Sequence, residues 1–352
     1  MKQRRTGAVQ LRTGLRTLLV LVVVSCSTGS AGPVRQSPQY DGPTYRNPVF
    51  EHDAPDPTIL HAPDGRYYVY TTQSIYLDLL EIPILQSRDL VHWRQVGDAF
   101  PTAPEWVNGG PAGDMWAPHI LYWQGHYLLY YAARRLDGGD MAIGVGTSAS
   151  PRGPFHDLGH PILTRAAGQP DYTAIDPFVL ADRGRLYLYW GSDNQPLRVA
   201  PLSSDGLRVA AKAVDLVSPV PANGEYGGLV EGAWVLRHGD LYYLMYSVGD
   251  CCSDEANYSV YVARSRSPVG PFRPGPDNPI LHGNSRFWAV GHNATVQDAA
   301  GHDWIIYHAR LRSSPSFDRD LMLDRINWVN GWPTINAGDG PSWLPQPAPI
   351  TP

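Results

Sequence analysis

Charge and cysteine are both scarce in this chain of 352 residues. Charged residues make up 17%, the formal net charge is −5, and every dense basic run lies within the first sixteen residues. That leaves no clustered basic face to meet a nucleic acid. Only three cysteines occur, Cys26 and the adjacent pair Cys251 and Cys252. Adjacent cysteines cannot staple distant segments, so the pair reads as a vicinal disulfide or as two buried thiols, with no catalytic role; a zinc site lacks the further cysteines it would need. Long apolar runs are missing too. The apolar stretch from Leu18 to Val24 is too short to span a bilayer permanently. No amphipathic helical pattern of useful length appears. What is present is 43% hydrophobic and 11% aromatic residues, enough for a large core and incompatible with disorder.

The amino-terminal region has the layout of an export signal. Lys2, Arg4, Arg5, Arg12 and Arg16 precede the apolar stretch, which predicts a signal peptide over residues 1–25. Val23-Val24-Ser25-Cys26 resembles the bacterial lipobox, in which cleavage before the cysteine leaves Cys26 to carry lipid. Plain secretion, with cleavage near Ser30-Ala31-Gly32, is the alternative. Residues 26–44, rich in Ser, Gly and Pro, would form a tether. The expected location is extracellular or on the cell surface, with membrane contact only through Cys26.

From residue 45 to 345 one phrase returns five times: a short apolar run, a turn usually marked by Gly, then a tyrosine-rich run. The copies start at Asp56, Ala117, Asp176, Glu231 and His292, spaced 61, 59, 55 and 61 positions apart. The turns are Asp64-Gly65, Gln124-Gly125, Arg183-Gly184, His238-Gly239 and Gly301. A third run follows in every copy and a fourth in four of them. Three to four strands per sixty-residue unit, repeated five times, predict an all-β fold, a five-bladed β-propeller. A β-sandwich would explain the strand count but not the recurring phrase.

In a propeller the first strand of each blade lines the central channel, so the residues opening the five copies should converge at one end of the axis. An Asp before Pro is by itself usually a turn residue. Three acids, Asp56, Asp176 and Glu231, in one repeat register are another matter. Crowded carboxylates resist ionisation together, as hydrolysis of a glycosidic bond requires of an acid and a base. Ala117 would leave room in the ring and His292 would complete it.

Several motifs resemble glycoside hydrolase family 43, the arabinanases, α-L-arabinofuranosidases and β-xylosidases. They are Asn47-Pro48, Asp56-Pro57, Trp116-Ala117-Pro118, Ile175-Asp176-Pro177, Glu231-Gly232 and Gly291-His292-Asn293. The resemblance implies an inverting glycosidase with Asp56 as general base, Glu231 as general acid, and Asp176 orienting the acid and tuning its pKa. Asp53 competes as base but lacks the following proline. Trp116 and Ala117 would contact substrate, with Trp288 as a further rim candidate. The resemblance also allows a water-mediated calcium ion at His292 in the propeller centre; no cofactor is otherwise required. Asp250-Cys251-Cys252 resembles the paired-cysteine segment of arabinan-degrading members, which favours arabinan or arabino-oligosaccharides over a xylan-derived β-xyloside. His119, where many relatives carry Asp, is a departure. An invertase-like retaining enzyme is disfavoured by the neighbours Pro55, Ile175 and Gly232. A propeller that only binds polysaccharide is the reading outside enzymes. Segments 74–83, 103–115, 165–174 and 219–229 would form the rim.

Overall fold

The computed structural model describes residues 42–74, 79–109, 114–168, 170, 173–192, 195–219, 228–314 and 316–351. The signal peptide, Cys26 and the tether up to residue 41 lie outside the described residues. A 3-10 turn spans Asn336–Gly338, and no α-helix occurs among the described residues. Five antiparallel sheets follow one another along the chain. Blade one consists of Thr58–His61, Tyr67–Tyr70, Pro83–Ser87 and Arg94–Asp98. Blade two has Trp116–Trp123, His126–Arg134 and Met141–Ser148, with the short segments His156–Asp157 and Leu163–Thr164 sharing its outer edge. Blade three has Phe178–Asp182, Arg185–Trp190, Leu197–Pro201 and Val214–Val217. Blade four has Val230–His238, Leu241–Val248, Ser259–Ser265 and Arg273–Pro274. Blade five has Phe287–Gln297, Asp303–Leu311, Asp320–Val329 and Trp332–Ile335. First strands of successive blades touch, and the fifth touches the first. The ring is closed, and the fold is the expected five-bladed β-propeller.

The recurring phrase explains how each blade forms and how it meets the next. At Gln124-Gly125 and Arg183-Gly184 both residues have positive φ, as a two-residue hairpin turn with right-handed strand twist demands. Five apolar clusters then fill the five junctions between neighbouring blades. The tyrosines contribute rings to these clusters and hydroxyls to the neighbour. Tyr70 donates to Pro151 O, Tyr130 to Gly206 O at 3.0 Å, Tyr189 to Pro268 O, and Tyr243 to Gly331 O at 2.7 Å. Each of these bonds runs from one blade to the next.

Blades five and one are joined with help from both ends of the described chain. Thr44–Tyr45 pairs antiparallel with Gln346–Pro347. Buried Asn47 accepts from Leu323 N at 2.8 Å through its side-chain oxygen and donates to Leu323 O at 2.8 Å. Near the other end, Ile350 N donates to the Asp298 carboxylate.

Candidate active site

The inner strands bend at one repeated point. Asp56, Ala117, Asp176, Gly232 and His292 all have positive φ, between 45° and 61°. In blades two, four and five the ladder register shifts across this point, a bulge that re-aims the neighbouring side chains. The left-handed residue of blade four is Gly232, not Glu231. The true spacing is therefore 61, 59, 56 and 60 positions, and Glu231 belongs to the preceding position, shared with Trp116, Ile175 and Gly291. In the recurring phrase Glu231 stands one residue out of register, because glycine has no side chain to betray its equivalence with Asp56 and Asp176.

Four of the five left-handed residues present their amides to a side chain of the preceding blade. Ala117 N donates to Thr72 Oγ1 (2.8 Å), Gly232 N to Asp176 Oδ2 (2.9 Å), His292 N to Ser247 Oγ (2.8 Å) and Asp56 N to His308 Nδ1 (3.1 Å). Two residues further along each strand lies a second layer. There His119 meets Phe178 and Trp234 edge-on, with ring centroids 4.6 and 5.4 Å away. His119 Nε2 lies 3.0 Å from Val179 O, and burial pushes its pKa down to about 3, so it is a neutral core residue. This aromatic layer floors the channel.

Above it opens a pit of about 440 Å³, into which Asp56, Asp176 and Glu231 all project. Asp56 is held by Thr72 Oγ1, which donates to Oδ2 at 2.6 Å, and by Arg319 Nη1, 3.1 and 3.3 Å from its two oxygens. Burial alone would raise its pKa, but Arg319, His292 and His308 together outweigh burial and hold the carboxyl well below the usual range. Glu231 has the opposite setting. Burial dominates and pushes it up to about 7, against the lowering effect of hydrogen bonds from Ser192 Oγ to Oε2 and from Tyr258 Oη to Oε1, the latter at 2.8 Å. Asp176 is also raised, by burial and then by the charges of Glu231 and Asp56. One pit thus holds a carboxyl whose pKa is lowered, Asp56, beside two whose pKa is raised, Glu231 and Asp176.

Arg319, Tyr258 and Ser192 carried no signal in the repeat, since none sits at the register of the recurring phrase. Gly291, the first residue of Gly291-His292-Asn293, has a steric purpose. A Cβ there would lie 2.1 Å from the Tyr258 ring, so the missing side chain makes the space from which Tyr258 reaches Glu231. Trp116 and His292 line the pit as expected. Ala117 does not; it is fully buried beneath the wall and serves through its amide. Asp53 stands apart, facing a separate cavity, with Oδ1 accepting from Arg319 N at 3.2 Å. Trp288 packs outside the pit, where Arg310 lies 5.3 Å from its ring centroid. Of the expected rim, residues 75–78, 110–113, 169, 171–172 and 220–227 lie outside the described residues.

The donor set does not fit a calcium shell built from protein side chains. Calcium takes about six to eight oxygen ligands. His292 offers a nitrogen, and its Nδ1 is directed to Asp56 Oδ1 at 3.5 Å and Asp176 Oδ2 at 3.7 Å. Among the described residues no group of three or more His, Cys, Asp or Glu side chains is disposed to hold a metal. Burial chiefly lowers the pKa of His292, while the charge of Asp56 raises it.

Residues 45–333 match the family model of glycosyl hydrolases family 43. The chain belongs to this family. It is therefore a glycosidase. Among relatives of this family-43 chain is the extracellular exo-α-(1→5)-L-arabinofuranosidase of Cellvibrio japonicus, 29% identical over 84% of this chain and 89% of that protein. The extracellular endo-α-(1→5)-L-arabinanase 1 of Bacillus subtilis is 26% identical over 71% of this chain and 79% of its own length. Among solved structures, a thermostable family-43 glycoside hydrolase superposes with a TM-score of 0.73 at 27% identity, covering 88% of this chain and all of that one. The Cellvibrio cellulosa α-L-arabinanase complexed with arabinohexaose gives 0.70 at 26% identity, over 82% of this chain and 96% of that one.

Proposed function

We propose that this family-43 glycosidase hydrolyses α-L-arabinofuranosyl linkages in arabinan or arabino-oligosaccharides by single displacement with inversion. The observation that carries the reading is the division of charge in one pit, with Asp56 held ionised and Glu231 held protonated near neutrality. Asp56 acts as general base on a water molecule. Glu231 donates its proton to the departing glycosidic oxygen, and Asp176 orients the acid's backbone through Gly232 N while its charge state tunes Glu231. Arg319 keeps the base anionic. The arabinan-degrading relatives support the choice of sugar. No step draws on a metal, and full activity after exhaustive chelation is the expected result.

The test is to incubate the protein with arabinan, arabino-oligosaccharides and aryl α-L-arabinofuranosides and follow the first-formed product by NMR. Arabinose or short arabinosides of inverted configuration are expected. Retained configuration would overturn the mechanism, release from β-xylosides alone would replace the substrate, and binding without turnover would make the propeller a lectin. Asp56→Asn and Glu231→Gln should each lower kcat by about 10²–10⁴-fold.

Export belongs to the same proposal. The two relatives described as extracellular, together with the basic and apolar amino-terminal run, support an exported enzyme. A lipid on Cys26 would hold it at the membrane. Cys26→Ala should move the enzyme from the membrane fraction to the medium.

A further inference from the structure

Cys251 and Cys252 form a disulfide with each other. A bond between chain neighbours closes no loop of consequence, so it does little to the entropy of the unfolded chain and contributes little to stability. Its effect is local, and its location is the catalytic pit, whose wall includes both cysteines. The pair lies three residues beyond the strand Leu241–Val248, which pairs Val248 with Val230 and Ser247 with Glu231. The sulfurs therefore project from the blade that carries the acid.

The turn that presents them is fixed from both sides. Buried Asp250 accepts from Cys252 N at 2.8 Å and Ser253 N at 3.1 Å, while its own amide donates to Asn257 Oδ1 at 2.8 Å. From blade five, buried Arg310 donates to Cys252 O and Ser253 O, each at 3.1 Å. Its guanidinium lies between the rings of Trp288 and Phe317, 5.3 Å from either centroid. A solvent-facing disulfide of no structural consequence would not need five hydrogen bonds to hold its turn. The remaining wall divides by polarity: Trp116, Ile175 and Leu229 are apolar, while the acids, His292 and Arg319 are polar. A pentose ring has the same two characters, hydroxyls at its edge and C–H groups on its face. Polarizable sulfur suits the second.

We infer that the Cys251–Cys252 disulfide is a sugar-binding platform, packing against the C–H face of the pentose held over Asp56 and Glu231 and setting affinity for it. This rests on the arabinoside-hydrolysing reading, deepens it, and gives the cysteines direct contact with the sugar without a part in the chemistry.

The test compares wild type with Cys251→Ala/Cys252→Ala on an aryl α-L-arabinofuranoside and on arabino-oligosaccharides, with calorimetric binding of arabinotriose measured for each in the Glu231→Gln background. Loss of a small apolar contact in a pocket predicts KM and Kd raised about tenfold, with the change in kcat/KM carried mainly by KM. The melting temperature should stay close to that of wild type. Unchanged KM and Kd in a folded variant would overturn the platform. If the variant does not fold, reduction of the native wild type by a phosphine, verified by titration of two thiols, gives the same reading: raised KM supports the platform and unchanged KM rejects it. If wild type binds arabinotriose but does not hydrolyse it, the hydrolytic reading fails while weaker binding by the variant still upholds the platform. If wild type binds none, both fail.

Discussion

Asp56 and Glu231 differ in environment more than in chemistry. Arg319 is the strongest influence lowering Asp56, and it also lowers Glu231. The proposed roles make kcat/KM rise on the acidic side as Asp56 ionises and fall through about pH 7 as Glu231 loses its proton. Replacing Arg319 with Gln should raise both pKa values, so both limbs of the profile move to higher pH, the acidic limb further. Activity at mildly acidic pH should drop about tenfold or more. A pH–rate profile of the variant with an unmoved acidic limb would remove Arg319 from this role. The same buried acid carries a stability penalty. The folded pKa of Glu231, about 7, stands above its ordinary value of 4.5, so unfolding releases a proton between those pH values and stability declines as pH rises through that window. Glu231→Gln does not titrate. Its melting temperature should match wild type near pH 4.5 and exceed it above pH 7, by on the order of 3 kcal/mol in stability. Parallel curves across that range would show that burial does not set the acid's pKa.

At the scale of the strand, the bulged left-handed bend is what turns five similar hairpins into a site. Asp tolerates positive φ better than most residues, and glycine pays no steric penalty there. That is why Asp56, Asp176 and Gly232 can share a position. The Asp-Pro pairs mark the position in the sequence, whereas in blade four the repeat points to Glu231 although Gly232 occupies the bend. Gly291 shows the reverse case, a glycine whose φ is ordinary but whose Cβ space is occupied by Tyr258. Gly291→Ala should displace Tyr258 and destabilise the fold by about 1–3 kcal/mol. With the Tyr258 hydrogen bond weakened, Glu231 should titrate higher and the basic limb should shift upward. Denaturant unfolding with a pH–rate profile checks both, and a variant with wild-type values in each would place Tyr258 elsewhere in solution.

Over the whole molecule, closure of the ring depends on contacts between chain ends. Asn47 lies against Leu323, 276 residues away in sequence, and bonds both its N–H and its C=O. Asn47→Leu leaves those buried peptide groups without this partner and should lower stability by about 2–4 kcal/mol, read from the urea midpoint, with the pH–rate profile unchanged. A midpoint equal to wild type would mean that the Thr44–Tyr45 pairing and the blade contacts close the ring unaided. The five-bladed fold was legible because each blade is built from near neighbours in the chain, so a local pattern of turn and strand repeats wherever a blade repeats. Asp56, Asp176 and Glu231 were legible for the same reason. The partners that give those acids their properties were not. Arg319 reaches Asp56 across 263 residues, and Tyr258 reaches Glu231 from another strand through a space left by a third. The sequence by itself determined the blades and nominated the acids, because both follow from short-range periodicity. Only the tertiary structure decided which acid is charged, which keeps its proton, and that a disulfide stands beside them. Those outcomes depend on burial and on distances between residues that no local pattern relates.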